Sequence, residues 1–409
     1  MRKGPMLTFA ATAAAVLALA PAAAAGRTST PPVLTPGQST AALGLDLLRR
    51  LPAGNLVLSP DSIATALAMA GEGARGATAG QIAHVLHLRS AGAFGSLGSL
   101  QAEIASGQAA AAHGDPEAPQ LKIADGLFLQ EGFPAAAPFL GALAGHFAAT
   151  PQTVNFQSRP EAAVGAINQW VSRNTEGLIP KILASVSEEA KLVLANAVYL
   201  HAHWAAPFKP AGVSPAAFHG PGGNAQVPFM HQTASLPYGA GRGYEALELP
   251  YRSSTMSLML MLPVGQSLAA LQRGLSAASL SRIAARMKPA EIELALPRFH
   301  IETRTELAPV LAALGMPLAF GQTADFSGID PAAQLAIDRV IHAADIEVRE
   351  AGTVAAAATL IEVEATAQEL PPNAIPFDAD RPFLYFLRDQ RTGAVLFAGR
   401  LADAAGAQG

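Results

Sequence analysis

The stretch EAGTVAAAATLIEVEATAQELPPNAIPFDAD, from Glu350 to Asp380, carries signals for two structures that exclude each other. Four consecutive alanines, Ala355 to Ala358, favour helix. The residues LIEVEA that follow soon after alternate apolar and acidic with the period of a half-buried strand. A structureless connection of roughly 30 residues is uncommon inside a compact domain and is usually functional or disordered. The Ala, Glu and Pro content favours disorder, and the alternation argues against it. Thr353, Ala355, Ala357, Thr359, Ile361, Val363 and Ala365 fall on one face of a strand, and that face carries no charge. Glu362, Glu364 and Thr366 fall on the other. The pattern is that of a strand half buried in a sheet, and the small side chains at its start would let it slide in without clashes.

The rest of the chain supplies helices and strands without strict βαβ alternation, which points to an α+β or mixed fold. AALGLDLLRRL starts a helical pattern. NLVLSPDSIATALAMA reads as a short strand, a turn and an apolar helix, with Ser59 as N-cap and Pro60 at the first helical position. TAGQIAHVLHL predicts a further helix with a capping box of Thr78 and Gln81. AINQWVSRNTEGLIPKIL looks helical, and KLVLANAVYLHAHW looks like a buried strand. YEALELPY, MSLMLMLP and EIELALPRF are strand-like, and FLYFLRDQRTGAVLFAGRL predicts a hairpin around Arg391-Thr392-Gly393. PFKPAGVSPAAFHGPGGNAQVP, rich in Pro and Gly, is the best linker candidate. Half of the 409 residues are hydrophobic and 14% are charged, enough apolar material for one large core.

The N-terminus has the layout of a secretory signal peptide: MRKGP is basic, MLTFAATAAAVLALA is apolar, and PAAAAGR supplies small residues. Cleavage is expected at Ala23-x-Ala25, so that residues 1–25 are removed and 26–409 form one domain, secreted or periplasmic, with no membrane attachment afterwards. No cysteine is present, which excludes disulfides and thiol chemistry. A formal net charge of −4 with scattered basic residues argues against nucleic acid as a partner.

Motifs of catalysis and ligation give little. GEGARG matches G-x-G-x-x-G, but a helix precedes it, so these glycines read as the end of one helix and the turn into the next. His84 with His87, and His201 with His203, could each face a metal, yet neither pair has a carboxylate at a convincing spacing. No G-x-S-x-G nucleophile elbow and no P-loop are present. The expectation is a non-enzyme without metal or cofactor.

Taken together, the segment and its flanks resemble the serpin family. Glu350 to Thr359 is similar to the hinge that leads into a serpin reactive-centre loop. HAADIEV, FDADRPFLYFLRDQRTGAVLFAGRL, NLVLSPDSIATALAMAGEGARGATAGQI, INQWVSRNTEG, LANAVYLHAHWAAPF, YEALELPY and LPRFHIETRTELAPVLAALGMPLAFGQTADFSGI also resemble family signatures, in the family's order. The resemblance implies one domain of helices around three β-sheets with an exposed reactive-centre loop, at about residues 350–376. It implies a monomer that a serine protease attacks as substrate, forming a covalent acyl-enzyme. The cleaved loop then inserts into the central sheet and traps the protease, a mode of strand addition taken over from the family.

Within that resemblance, Glu350 opens the hinge, Gly352 is its pivot and Thr353 the first inward side chain. Ala355, Ala356, Ala357, Ala358 and Thr359 match the small-residue run of inhibitory members. Asn196, Trp204, His342 and Gly399 match scaffold positions, with Trp204 where the loop enters. Counting along the loop puts the reactive bond at Thr366–Ala367, with Leu370 as a fallback. Ala365, Thr366 and Ala367 are small and suit elastase-like or subtilisin-like proteases. Inserting about a dozen residues adds on the order of ten hydrogen bonds at roughly 1 kcal/mol each. Burying Ile361 and Val363 adds roughly 1.5–3 kcal/mol apiece. That is comparable to the stability of an ordinary domain, about 5–15 kcal/mol. The alternative reading is a serpin-fold carrier or chaperone that does not inhibit; the small-residue hinge speaks against it.

Overall fold

The computed structural model describes residues 33–332, 334–353 and 373–408, together with residues 1 and 4. The expected signal peptide apart from residues 1 and 4, the hinge residues Ala355 to Thr359 and the expected reactive bond Thr366–Ala367 lie outside the described residues. Leu34–Gly409 form one compact unit. Its helices are α1 (Pro36–Arg50), α2 (Pro60–Gly73), α3 (Gly76–Val85), α4 (Gly95–Ala112), α5 (Ala137–Phe147), α6 (Pro160–Asn174), α7 (Leu268–Gly274), α8 (Ala277–Arg286) and α9 (Ala308–Leu314). The strands are β1 (Leu56–Leu58), β2 (Gln120–Gln130), β3 (Gln152–Val154), β4 (Leu192–His203), β5 (Val213–Gly220), β6 (Gly223–Gly241), β7 (Tyr244–Pro250) and β8 (Met256–Pro263). They continue with β9 (Lys288–Pro297), β10 (Phe299–Glu306), β11 (Ile337–Val348), β12 (Gly352–Thr353), β13 (Ile375–Asp378), β14 (Phe383–Asp389) and β15 (Val395–Leu401). The fold is α+β. Among the described residues, no helix is long and apolar enough to cross a membrane.

One sheet has the order β10-β11-β12-β4-β2-β3 and lies between two cores. Alternation along β4 sends Leu192, Leu194, Val198, Leu200 and Ala202 into the main core. Val193, Ala195 and Ala197 point the other way, into a second core with Ile167 and Val171 of α6. A strand buried on both faces reads as a continuous apolar run, which is why LVLANAVYL shows no polar alternation. β11 and β4 are parallel neighbours, pairing Ile337–Ala344 with Leu192–Val198.

The other sheet runs β1-β15-β14-β8-β7-β6-β9-β13, with β5 paired to β6. Three sheets were expected, and the described residues form two continuous ladders. The reason is β6, which is 19 residues long. It pairs β5 through residues 223–230, β9 through 229–238 and β7 through 238–241, so two sheets share one strand. The linker candidate 207–228 is likewise overturned: its Gly220–Gly223 turn joins β5 to β6 as a hairpin. The hairpin around Arg391-Thr392-Gly393 connects β14 and β15, with Gly393 at φ 73.

Ser59 caps α2 by accepting from Ser62 N at 3.3 Å, with Pro60 at the first helical position. GEGARG ends α2 and turns through Gly76 at φ 51 into α3. The predicted Thr78–Gln81 capping box is not formed, because α3 begins earlier, at Gly76. Thr78 Oγ1 instead accepts from Asp325 N and Gln81 Oε1 from Leu318 N, so both side chains hold a distant loop. A capping box does occur at Thr35 and Gln38, opening α1.

Candidate functional site

β4 and β11 part at one end, and the chain after β11 turns back into the gap. Thr353 pairs with Val348 of β11 on one side and Ala202 of β4 on the other, and Gly352 pairs with His203. The two residues of β12 are therefore a short antiparallel strand wedged between parallel neighbours. Gly352 has to be glycine here, since a Cβ would lie 1.9 Å from Ala202 O. Thr353, expected as the first side chain to enter, is already seated: it is 1% exposed. Its Oγ1 and the Tyr251 hydroxyl share a hydrogen bond of 2.6 Å.

The turn from Arg349 to Gly352 is held on all sides. Trp204 donates its indole Nε1–H to Arg349 O at 2.9 Å and its backbone N–H to Ala351 O at 2.9 Å. Its ring stacks on Tyr251, with centroids 4.6 Å apart and planes at 16°. Phe208 N donates to Glu350 O at 3.0 Å, and the Glu350 carboxylate pairs with Arg298. Trp204, Tyr251 and Arg298 thus form the rim of the mouth. Tyr251 and Arg298 did not stand out in the sequence as site residues; both sit inside runs that read simply as strand.

Asn196 and His342 face each other across β4 and β11, Asn196 lying six residues before Ala202 on β4, or about 20 Å at 3.3 Å per residue. They belong to a separate cluster from Trp204 and Thr353. His342 is fully buried and its Nε2 accepts from Ser59 N at 3.0 Å. Burial pulls its pKa down to about 3, so the ring is neutral. Asn196 Nδ2 donates to Asp125 Oδ1 at 3.0 Å and to Ser62 O at 3.4 Å. Asp125 also accepts from Ser62 Oγ and, at 3.3 Å, from Gln101 Nε2. Burial pushes its carboxyl up to about 6 against these donors. Asp61 lies beside it, 1% exposed, with neither oxygen hydrogen-bonded. Burial, with Asp125 adding to it, pushes Asp61 up to about 7. The Gln101 amide is near enough to Asp61 to oppose that rise without hydrogen-bond geometry. Gly399 packs where a Cβ would meet Tyr385 at 2.2 Å.

The histidine pairs lead elsewhere. His87 binds Asp46 at 2.8 Å, and His201 and His203 have ring centroids 5.3 Å apart. Among the described residues no group of three ligands could hold a metal ion. What the mouth offers is a place for chain: β4 and β11 both pair Thr353 at the open end and pair each other directly from Ala344 to Ile337.

Residues 38–404 match the family model described as Serpin (serine protease inhibitor). An uncharacterized serpin-like protein of Thermococcus kodakarensis is 37% identical over 362 residues, covering 88% of this chain and 83% of its own length. The leukocyte elastase inhibitor of Sus scrofa is 35% identical over 376 residues, covering 88% of this chain and 97% of its own. The crystal structure of tengpin, a thermophilic serpin in its native state, superposes with a TM-score of 0.80 at 27% identity, covering 90% of this chain and 93% of that one.

Proposed function

Because the chain belongs to the serpin family, described as serine protease inhibitors, and resembles a leukocyte elastase inhibitor, we propose that it is an exported suicide-substrate inhibitor of elastase-like or subtilisin-like serine proteases. The observation that carries this reading is β12. Two residues of the segment are already inserted between β4 and β11, in the antiparallel sense that further insertion requires. The residues that follow Thr353 and Val354 are alanines, small enough to continue into the gap. The protease serine attacks the Thr366 carbonyl, the Thr366–Ala367 amide breaks, and Ala367 leaves as a free amine while Thr366 stays esterified to the enzyme. Release of the tether at Ala367 lets the segment run into the sheet and carry the acyl-enzyme with it. The basic, apolar and small-residue layout of residues 1–25 supports export, and the inhibitor acts as a monomer.

Incubation with elastase, subtilisin and trypsin, followed by denaturing electrophoresis and mass spectrometry, tests the proposal. A denaturant-stable adduct with elastase or subtilisin, with a released C-terminal peptide starting at Ala367, supports it. Clean cleavage without an adduct by every protease assigns the chain to the non-inhibitory carriers.

A further inference from the structure

Asp125 lies on β2 opposite Asn196 of β4, and Asp61 on α2, which packs against β2 and β4; β12 bonds to neither carboxylate. Asp61, in the first turn of α2, is buried without a hydrogen-bond donor on either oxygen. The helix N-terminus offsets part of its charge, but an ionised buried carboxylate without donors is costly. Asp125 on β2 keeps some exposed surface. It lines a cavity of about 310 Å³ with Thr65, Gln101, Gln152, Trp170 and Asn174, which gives it a polar path for proton exchange.

The other ionisable groups facing the pair are His342 of β11, neutral, and Asp389 at the end of β14, whose carboxylate accepts from Thr255 and Thr392. β4, α4 and α6 contribute Asn196, Gln101, Trp170 and Asn174, all uncharged. On the other elements packed against α2, charges are engaged elsewhere: Asp46 with Arg49 on α1, Arg75 with the carbonyls of Glu72 and Ala74 before α3, His146 with Glu72 on α5, and Arg400 with the carbonyls of Leu48 and Gly54 on β15.

We propose that the Asp61–Asp125 pair is a proton-controlled latch on the separation of β4 from β11. Each strand is tied to the pair's surroundings. Asn196 of β4 donates to Asp125, and His342 of β11 accepts from Ser59, two residues before Asp61. With the carboxyls protonated, the closed arrangement carries no like-charge repulsion. With both ionised, repulsion and the missing donors favour an arrangement that admits water, and pulling Asn196 and His342 apart admits it. Both groups hold their protons more tightly in the closed fold than in water. The closed ladder is therefore firmest at acid pH and eases as pH rises through the range where the pair ionises.

Hydrogen exchange reads strand separation directly, without a protease. Protection factors for residues 192–198 and 337–344, corrected for the intrinsic pH dependence of exchange, are measured from pH 5 to 8 with β14 and β15 as internal reference. The expected result is a fall of tenfold or more in the β4–β11 ladder and a much smaller one in the reference strands. Asp61→Leu and Asp125→Asn should each shrink that fall several-fold, because burial still raises the carboxyl that remains, and the double variant should leave threefold or less. A flat wild-type profile, an equal fall in β14 and β15, or an unchanged fall in the variants overturns the proposal.

Discussion

Replacing Thr353 by arginine should turn the protein from an inhibitor into a substrate. Thr353 is 1% exposed between two strands and shares a hydrogen bond with Tyr251. The substitution removes that bond and leaves the buried Tyr251 hydroxyl without its partner, at a cost of about 1–3 kcal/mol. Seating a guanidinium there with no carboxylate to meet it costs several kcal/mol more. The ordinary outcome is that residue 353 stays outside and the mouth remains empty. Insertion must pass through this position, so its barrier rises by at least the same few kcal/mol. A rise of about 3 kcal/mol slows the step on the order of 100-fold. Hydrolysis of the acyl-enzyme then competes successfully. The assay is the number of inhibitor molecules consumed per protease molecule inactivated, with electrophoresis to separate adduct from cleaved inhibitor. Thr353→Arg should consume at least ten per protease and yield mostly cleaved chain, while Thr353→Ser, which keeps the hydroxyl, should behave as wild type. An arginine variant with unchanged stoichiometry would refute the claim that residue 353 must enter the gap for trapping.

Tyr251→Phe leaves Thr353 Oγ1 without its partner and should loosen β12 by about 1–2 kcal/mol, seen as roughly tenfold faster amide exchange at Thr353 with the β14–β15 hairpin unaffected. Buried His342 has its pKa depressed from 6.5 to about 3, so its contribution to stability is complete above pH 6.5 and is lost as pH falls towards 3. The Asp61–Asp125 pair has the opposite sign, its pKa values being raised from 3.8 to about 7 and about 6, so it gains stability as pH falls. Chemical denaturation of the Asp61→Leu/Asp125→Asn double variant should therefore show a loss of up to roughly 3 kcal/mol between pH 6.5 and 4, which a further His342→Gln change removes. Between Arg349 and Arg381 there is no lysine or arginine, so trypsin should be neither trapped nor strongly inhibited, which a residual-activity titration checks.

Elements whose signal is local were legible in the sequence. Ser59-Pro60 announced the start of α2, the apolar run KLVLANAVYLHAHW announced a buried strand, and Arg391-Thr392-Gly393 announced a hairpin. Elements decided by tertiary partners were not. Thr78 and Gln81 have the spacing of a capping box, but the loops at Asp325 and Leu318 compete for the same side chains and win. The glycines and prolines of 207–228 punctuate a linker or a hairpin equally well, and only pairing with β6 selects the hairpin. At the candidate site, Gly352 and Thr353 were named from resemblance, but that Thr353 is already docked depends on the Tyr251 hydroxyl, 102 positions away in the chain. Asp61 was hidden most completely. An aspartate after Ser-Pro reads as a solvated first-turn residue favoured by the helix dipole. The groups that act on it, Gln101 of α4, Asp125 of β2 and Asp389 of β14, are none of them revealed by its own neighbourhood.

Under the proposed mechanism, the wedge of β12 also determines what kind of process insertion would be. Thr353 sits at the open end of a parallel ladder whose rungs run from Ile337–Ala344 to Leu192–Val198. Chain advancing from that end displaces the β4–β11 rungs one at a time while bonding to both strands, much as one nucleic-acid strand displaces another by branch migration. Each step replaces one set of inter-strand bonds with two, so the walk runs downhill and has no resting place until the incoming chain is exhausted. The highest obstacle is a single rung, and it does not grow with the number of rungs to be crossed. Speed therefore depends on the seam's first rungs, and pulling force on its whole length, so the two can be tuned separately by substitutions at opposite ends of the same pair of strands.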